Sequence, residues 1–314
     1  MAEFLNRRMT LAGKVEAVEG TAETLANADA NALAYDVRFE PNVNMFARKP
    51  VAQDLSPYSA IPGARSMRAT FKMELKGSGA AGTAPAIGKY LRGCGFGETV
   101  TGGVSVAYKR ALGEPSMTLG LYAIPASGNN LRRLIHGARG TFKVSPRTGE
   151  PPMIEFDFLG VYSAIADIAG LTPSGLEATK PVAFLNTSFT MQTFAHKISQ
   201  FAIDAGNALA LRGDIAVAAG YKSCLITDSE ATFSFDPETE LVATHDYAGI
   251  MVAGTEASMT ATIGAAAGNI CTITAPKCQY TKVGQADRDG ISIFSVEGKF
   301  NRSSGNDELV FTFT

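Results

Sequence analysis

Apolar and polar residues alternate along most of this chain. Tyr35, Val37 and Phe39 alternate with Asp36 and Arg38, and Ala69, Phe71, Met73 and Leu75 share one face while Thr70, Lys72 and Glu74 share the other. A period of two is the mark of a strand with one buried face. Met117, Leu119 and Leu121, then Ala138, Gly140, Phe142 and Val144, then Ile154, Phe156 and Phe158 continue the pattern, with glycine and proline turns between them. That is the signature of antiparallel strands with one face on a core. Residues 86–93 interrupt it as the best candidate helix in the first half, with Pro85 suited to a first turn and Gly93 or Gly95 to a closing cap. A short apolar stretch at 244–252 is its counterpart in the second half. Residues 1–33 show no clear period and read as a weakly structured arm, and a Pro/Ser/Gly-rich loop is expected to run from Arg48 to Ala64.

Residues 258–300 repeat residues 116–162. Ser116-Met117-Thr118 returns as Ser258-Met259-Thr260, Gly128-Asn129 as Gly268-Asn269, and the strand Met153 to Gly160 as Ile291 to Gly298, with the offset moving from 142 to 138. Upstream, Ala69-Thr70-Phe71 recurs as Ala231-Thr232-Phe233 at offset 162, and Asn44 as Asn207 at 163. Self-similarity of this kind marks a repeated structural unit. The expected organisation is an arm (1–33), a first module (34–164), a linker (165–185) carrying Gly170, Pro173, Gly175 and Pro181, and a second module (186–314) that ends in a strand. The fold class is mainly β (α+β): two tandem β-sandwich or barrel modules, each with one short helix.

Length agrees with duplication, because 314 residues exceed what one core commonly serves. Charged residues make up only 18%, below the roughly 25% of an average soluble domain, so much of the surface is expected to be covered, for instance by other copies of the chain. The formal net charge of -2 leaves no basic footprint for gripping nucleic acid. Cys94, Cys224, Cys271 and Cys278 form no C-x-x-C pair and read as reduced thiols. No h-region follows Arg7-Arg8, and no run of about twenty apolar residues occurs, so neither export nor membrane insertion is indicated.

Candidate chemistry is sparse. Gly77-x-Gly79-x-x-Gly82 matches the dinucleotide fingerprint literally. A true site needs a parallel βαβ unit and a later acidic residue, and the flanking strands read antiparallel, so a flexible loop is preferred. His136, His196 and His245 stand far apart, with no nucleophile motif or metal spacing, and read as ordinary residues. The polar strand faces carry more information. Lys72, Glu74, Glu155, Asp157, Asp236, Ser295 and Glu297 are expected to point outward, and their charges, one positive and five negative, sum to -4. Such a face is either solvated or a wall that DNA passes without sticking, since Lys and Arg are what grip phosphates.

Several short motifs keep a distinctive order: Lys14-x-Glu16-x-x-x-Gly20-Thr21, the 77–85 loop running into Tyr90-Leu91-Arg92-Gly93-Cys94-Gly95, the Gly137-Ala138-Arg139-Gly140 turn, and Ser304-Gly305-Asn306-Asp307-Glu308. In that order the chain resembles the major tail (tail tube) proteins of long-tailed, non-contractile bacteriophages over nearly its whole length. The resemblance implies a non-enzymatic virion protein, without cofactor or metal, that is assembled in the host bacterial cytoplasm. Its sheets would join edge to edge around a ring, and stacked rings would form the tube that conducts DNA. Six modules per ring would make a two-module chain a trimer, favoured over a hexamer. The outward positions above are then candidates for the lumen, and Lys14, Glu16, Gly20, Gly77, Gly79 and Gly82 for contacts between rings. The implied partners are further copies, tape-measure and tail-terminator proteins, and DNA in non-specific passage. A capsid decoration protein, an adhesin-like β-sandwich, and an enzyme with a cofactor at the 77–82 loop are the alternatives.

Overall fold

The computed structural model describes residues 3–51, 53 and 55–314. Up to the middle of the chain the elements are β1 (Phe4–Val15), β2 (Ala34–Arg48), β3 (Tyr58–Glu74), α1 (Gly88–Gly93), β4 (Phe96–Thr101), β5 (Ser105–Arg110), β6 (Met117–Pro125), β7 (Asn130–Val144), β8 (Met153–Tyr162) and β9 (Ala166–Ile168). There follow β10 (Ser188–Met191), β11 (Phe194–Ala195), β12 (Phe201–Asp204), β13 (Asn207–Gly213), β14 (Tyr221–Ser229) and β15 (Thr232–Phe235). The last are α2 (Tyr247–Ala253), β16 (Glu256–Ile263), β17 (Cys271–Arg288), β18 (Ile291–Asn301) and β19 (Val310–Phe313).

The protein is mainly β, as the alternation predicts, and the described ladders are antiparallel. A continuous run of eight strands, β2-β3-β8-β7-β12-β15-β18-β17, passes through both copies. The crossing is at β7–β12, where Val144 faces Ile203 and Lys143 faces Asp204. β8 occupies one edge of β7, and β6 and β12 share the other. β17 repeats this with β18 on one edge and β16 on the other as far as Gln279. Beyond Gln279, among the described residues, that second edge of β17 carries no strand. The copies are tied a second time by β19, which pairs with β17 and with β5.

One hydrophobic core spans both copies. Phe71, Phe142, Phe156 and Phe158 are fully buried, and Phe142 meets Phe311 of β19 at 5.5 Å between ring centroids. Each such ring contributes about 2–3 kcal/mol through the area it removes from water. Both helices are short because their ends are fixed: α1 follows Pro85 and stops before Gly95 (φ +83), and α2 begins at Asp246, whose carboxylate accepts from the Gly249 N–H, and stops at Gly254 (φ +63).

Two expectations are corrected. Within the arm, β1 is a 12-residue strand laddered to β6, with Leu11 and Ala12 buried, because its apolar residues complete the core. The loop expected up to Ala64 is shorter, since β3 begins at Tyr58 and pairs there with Arg48. The strands of the two sequence copies pair with a slip. Ala69 lies opposite Phe158, but Phe235, not Ala231, lies opposite Val296, a displacement of four positions. An even slip leaves every side chain on its original face.

Candidate functional site

The polar face of the eight-strand run is the largest organised surface that the sequence singled out. Lys72 lies opposite Glu155, and Thr70 and Thr141 flank Asp157. Farther along, Lys143 lies opposite Asp204, and Glu297 is opposite Ser234 on one side and Lys282 on the other. A shallow depression lined by Lys143, Asp204, Thr232, Glu297 and Lys299 straddles the line where the copies meet.

Charges on this face pair across strands. Arg68 holds Asp157 through two donors, one of them Nε to Oδ1 at 2.6 Å; Lys143 meets Asp204 at 2.9 Å, Lys282 meets Glu297 at 2.7 Å, and Lys299 pairs with Glu230. Lys72 reaches Asp36 at 3.3 Å. Hydrogen bonding to Asp157 raises the Arg68 pKa, and hydrogen bonding to Asp204 raises that of Lys143, so both stay charged. The five bases Arg68, Lys72, Lys143, Lys282 and Lys299 and the five acids Glu155, Asp157, Asp204, Glu230 and Glu297 along this face sum formally to zero. The sequence reading named three of these five acids and one of the five bases. Arg68 and Lys143 sit in the same alternating frame as Lys72 and were open to detection; Asp204 and Lys299 matter only through pairings that the ladder creates.

Two outward candidates lie elsewhere. Asp236 is buried, because its carboxylate accepts from the Ser199 and Gln200 N–H groups at 2.9 Å each, from the Ser199 hydroxyl, and from Arg288 at 3.1 Å. Glu74 sits at the end of the face, bonded to Lys76 at 2.9 Å and to the Tyr35 hydroxyl at 2.8 Å. Ser295 is exposed on β18, opposite Gly284.

The motif residues at 14–20 form an internal knot. Buried Glu16 accepts from Ser116 Oγ (2.5 Å), Thr118 Oγ1 (2.8 Å), the Gly137 N–H (2.7 Å) and the Gly20 N–H (2.9 Å). It ties the end of β1 to β6 and β7. Lys14 pairs with Glu23 at 2.8 Å. Gly20 has φ +76, and a Cβ there would stand 2.3 Å from the Lys222 carbonyl oxygen. Gly77 is buried against Gly268, Gly79 donates its N–H to the Gly268 carbonyl at 2.9 Å, and half-buried Gly82 packs on residues 101–104. Glu16 and Gly77 thus serve the interior of one chain, while Gly79 and its neighbours 80, 83 and 84 are accessible.

The same contacts bear on the dinucleotide reading. The Gly77 N–H is bonded to Asn269, that of Gly79 to Gly268 and that of Ala86 to Glu177, so amides a phosphate would need already have partners. His196 and His245 come together in an aromatic cluster with ring centroids 5.0 Å apart, and His136 bonds Ser163 at 2.9 Å. The Tyr247 hydroxyl donates to His196 Nδ1 at 2.8 Å, and Nε2–H donates to the Met191 carbonyl at 3.0 Å. Burial pushes His196 down to about 4, and also lowers His245 and His136. All four cysteines are free and buried, which raises their thiol pKa values and makes them inert.

Comparison with known families gives one result: residues 6–300 match the sequence model of the family described as "Phage tail tube protein". No curated protein matches the chain.

Proposed function

Because the chain belongs to the phage tail tube protein family, we propose that it closes into trimeric rings that stack as the tail tube, with the polar face of the eight-strand run lining a lumen for DNA. The observation that carries this reading is the sheet that runs unbroken through both copies, with one apolar and one charge-balanced face. A face whose Lys and Arg are already paired to carboxylates offers phosphates little to hold, so DNA slides past it.

Strand arithmetic favours three chains. Three chains of eight strands give 24, and at about 4.8 Å between strands and about 40° of tilt these close a barrel about 48 Å across at the backbone. Side chains on both walls take about 10 Å of that, leaving a lumen of about 38 Å. Two chains would leave about 22 Å, which grips a duplex, whereas three clear it. The accessible stretch around Gly79, beside Gly82, and the turn beyond Lys14 and Gly20 serve contacts between stacked rings. Tape-measure and terminator proteins meet the ends of the stack, and assembly takes place in the bacterial cytoplasm.

Electron microscopy of the purified protein, with mass measurement of single rings, tests the reading. The expected result is hollow tubes with three chains per ring; six chains per ring, with one copy of the repeat decorating the outside, would overturn the trimer.

A further inference from the structure

The junction inside the chain is a template for the junction between chains. Phe39 of β2 lies opposite Ala69, and Phe201 of β12 lies opposite Phe235; Ala69 and Phe235 in turn lie opposite the repeat-equivalent Phe158 and Val296. β2 is therefore the counterpart of β12, with Asn42 in the place of Asp204. By the same reasoning Gly140 and Val283 correspond, since each also faces Phe158 or Val296, so Ala286 stands in the place of Lys143. β12 fills the free edge of β7 beyond β6, yet among the described residues the edge of β17 beyond β16 and the outer edge of β2 are both open.

The segments after β12 and β2 also correspond. After β12 the chain enters the β13–β14 hairpin, which packs across β7, β8 and β3, buries Ser223 and Cys224, and takes a 2.6 Å bond from Arg139 to the Cys224 carbonyl. Asn207 anchors its base, donating to the Cys94 and Gly140 carbonyls at 2.8 Å each. After β2 the chain enters the outer part of the β2–β3 hairpin, with Asn44 at the matching position. Here Met45, Phe46, Val51, Leu55, Tyr58 and Ile61 are exposed. That is a large apolar surface for a soluble protein, and such patches mark interaction sites. The matching part of β17–β18, at residues 281–283 and 297–299, is exposed at Thr281, Lys282 and Lys299 and half-buried at Val283.

We propose that neighbouring chains are joined as the two copies are joined: β2 of one chain pairs antiparallel with residues 281–288 of the next, and the β2–β3 hairpin tip lies across that chain's β17–β18 as β13–β14 lies across β7–β8. The occupant of both open edges is a second copy of this chain. The proposal rests on the ring reading and adds to it which edges meet.

A chain carrying Asn42→Cys and Ala286→Cys tests it, because antiparallel partners stand about 4.5–5.5 Å apart at Cα, within disulfide range. The native cysteines are buried and do not compete, and six strands separate the two positions within one chain. Oxidised tubes are expected to give covalent multimers ending at the ring number, and each single variant only monomer. In the unaltered protein, amides of β2 and of residues 281–288 are expected to exchange at least tenfold more slowly after assembly. Phe46→Ser with Leu55→Ser is expected to keep the monomer's melting temperature and abolish rings. Tubes that form without the cross-link and without the added protection overturn this junction alone; unaltered protein that forms no ring overturns the ring reading as well.

Discussion

Glu16 shows how much one residue can hold. Its carboxylate satisfies two hydroxyls and two backbone N–H groups drawn from β6, from the turn before β7's second half, and from the segment after β1. Glu16→Ala leaves those buried donors without a partner, at about 3 kcal/mol or more, which a urea unfolding curve measures directly. His196 adds a pH dependence. Its folded pKa of about 4 lies below the ordinary value of about 6.5, so the unfolded chain takes up the proton first. The stability of the neutral ring is therefore complete above about pH 6.5 and is lost as pH falls toward 4, by about 3 kcal/mol. Thermal melts of the unaltered chain and of His196→Asn between pH 7 and 4 should show the variant with the flatter slope. At this scale the sequence revealed that the histidines were few and separate; only the fold brought His196 and His245 to one cluster, since their contact spans 49 positions.

Among the elements, β19 does the most for its length. Four residues pair with β5 on one side and β17 on the other, and place Phe311 and Phe313 in the core. Truncation after Leu309 removes both rings, each worth about 3–5 kcal/mol as a core deletion. The truncated chain is expected to lose its cooperative thermal transition and its solubility, as scanning calorimetry would show. The closing strand was visible in the alternation, but its role as a bridge was not, because alternation says which face is buried and is silent about which strand lies alongside. β1 escaped notice for a related reason: Leu5, Met9, Leu11 and Ala12 are mixed with Arg7, Arg8 and Asn6, so no clean period survives. Gly268 ties one copy's turn to the other copy's loop. With φ +84 and the Gly79 carbonyl carbon 2.4 Å from a Cβ, Gly268→Ala should lower the unfolding midpoint while leaving far-UV circular dichroism of the folded protein unchanged.

For the whole molecule, the consequence is electrostatic. Reversing Glu155, Asp157 and Glu297 to Lys changes the polar face by six charges and breaks the pairs with Arg68 and Lys282. The variant is expected to assemble normally, because none of the three positions is itself on β2 or on residues 281–288, but to slow DNA ejection. High salt should relieve the slowing, since counterions screen the added attraction. Ejection kinetics at two ionic strengths check this; normal ejection at low salt would mean that the face does not line the channel. The outward positions read from the sequence sum to -4, whereas in the structure Asp157 and Glu297 are paired with Arg68 and Lys282. Asp236 turns inward, and four of the five bases that balance the acids were not among the outward positions read from the alternation.

The linear sequence determined what depends on near neighbours: a mainly β chain, the strands with clean alternation, two short helices and the closing glycine of the first. Each follows from a period of two or from a turn residue, and these are local constraints. The tertiary structure decided the four-residue slip between copies, the strand that binds them, the partners of the surface charges and the two edges left open. Each of these is a pairing between residues tens or hundreds of positions apart, and such pairings are chosen by the closure of the whole core, which no short stretch of sequence encodes.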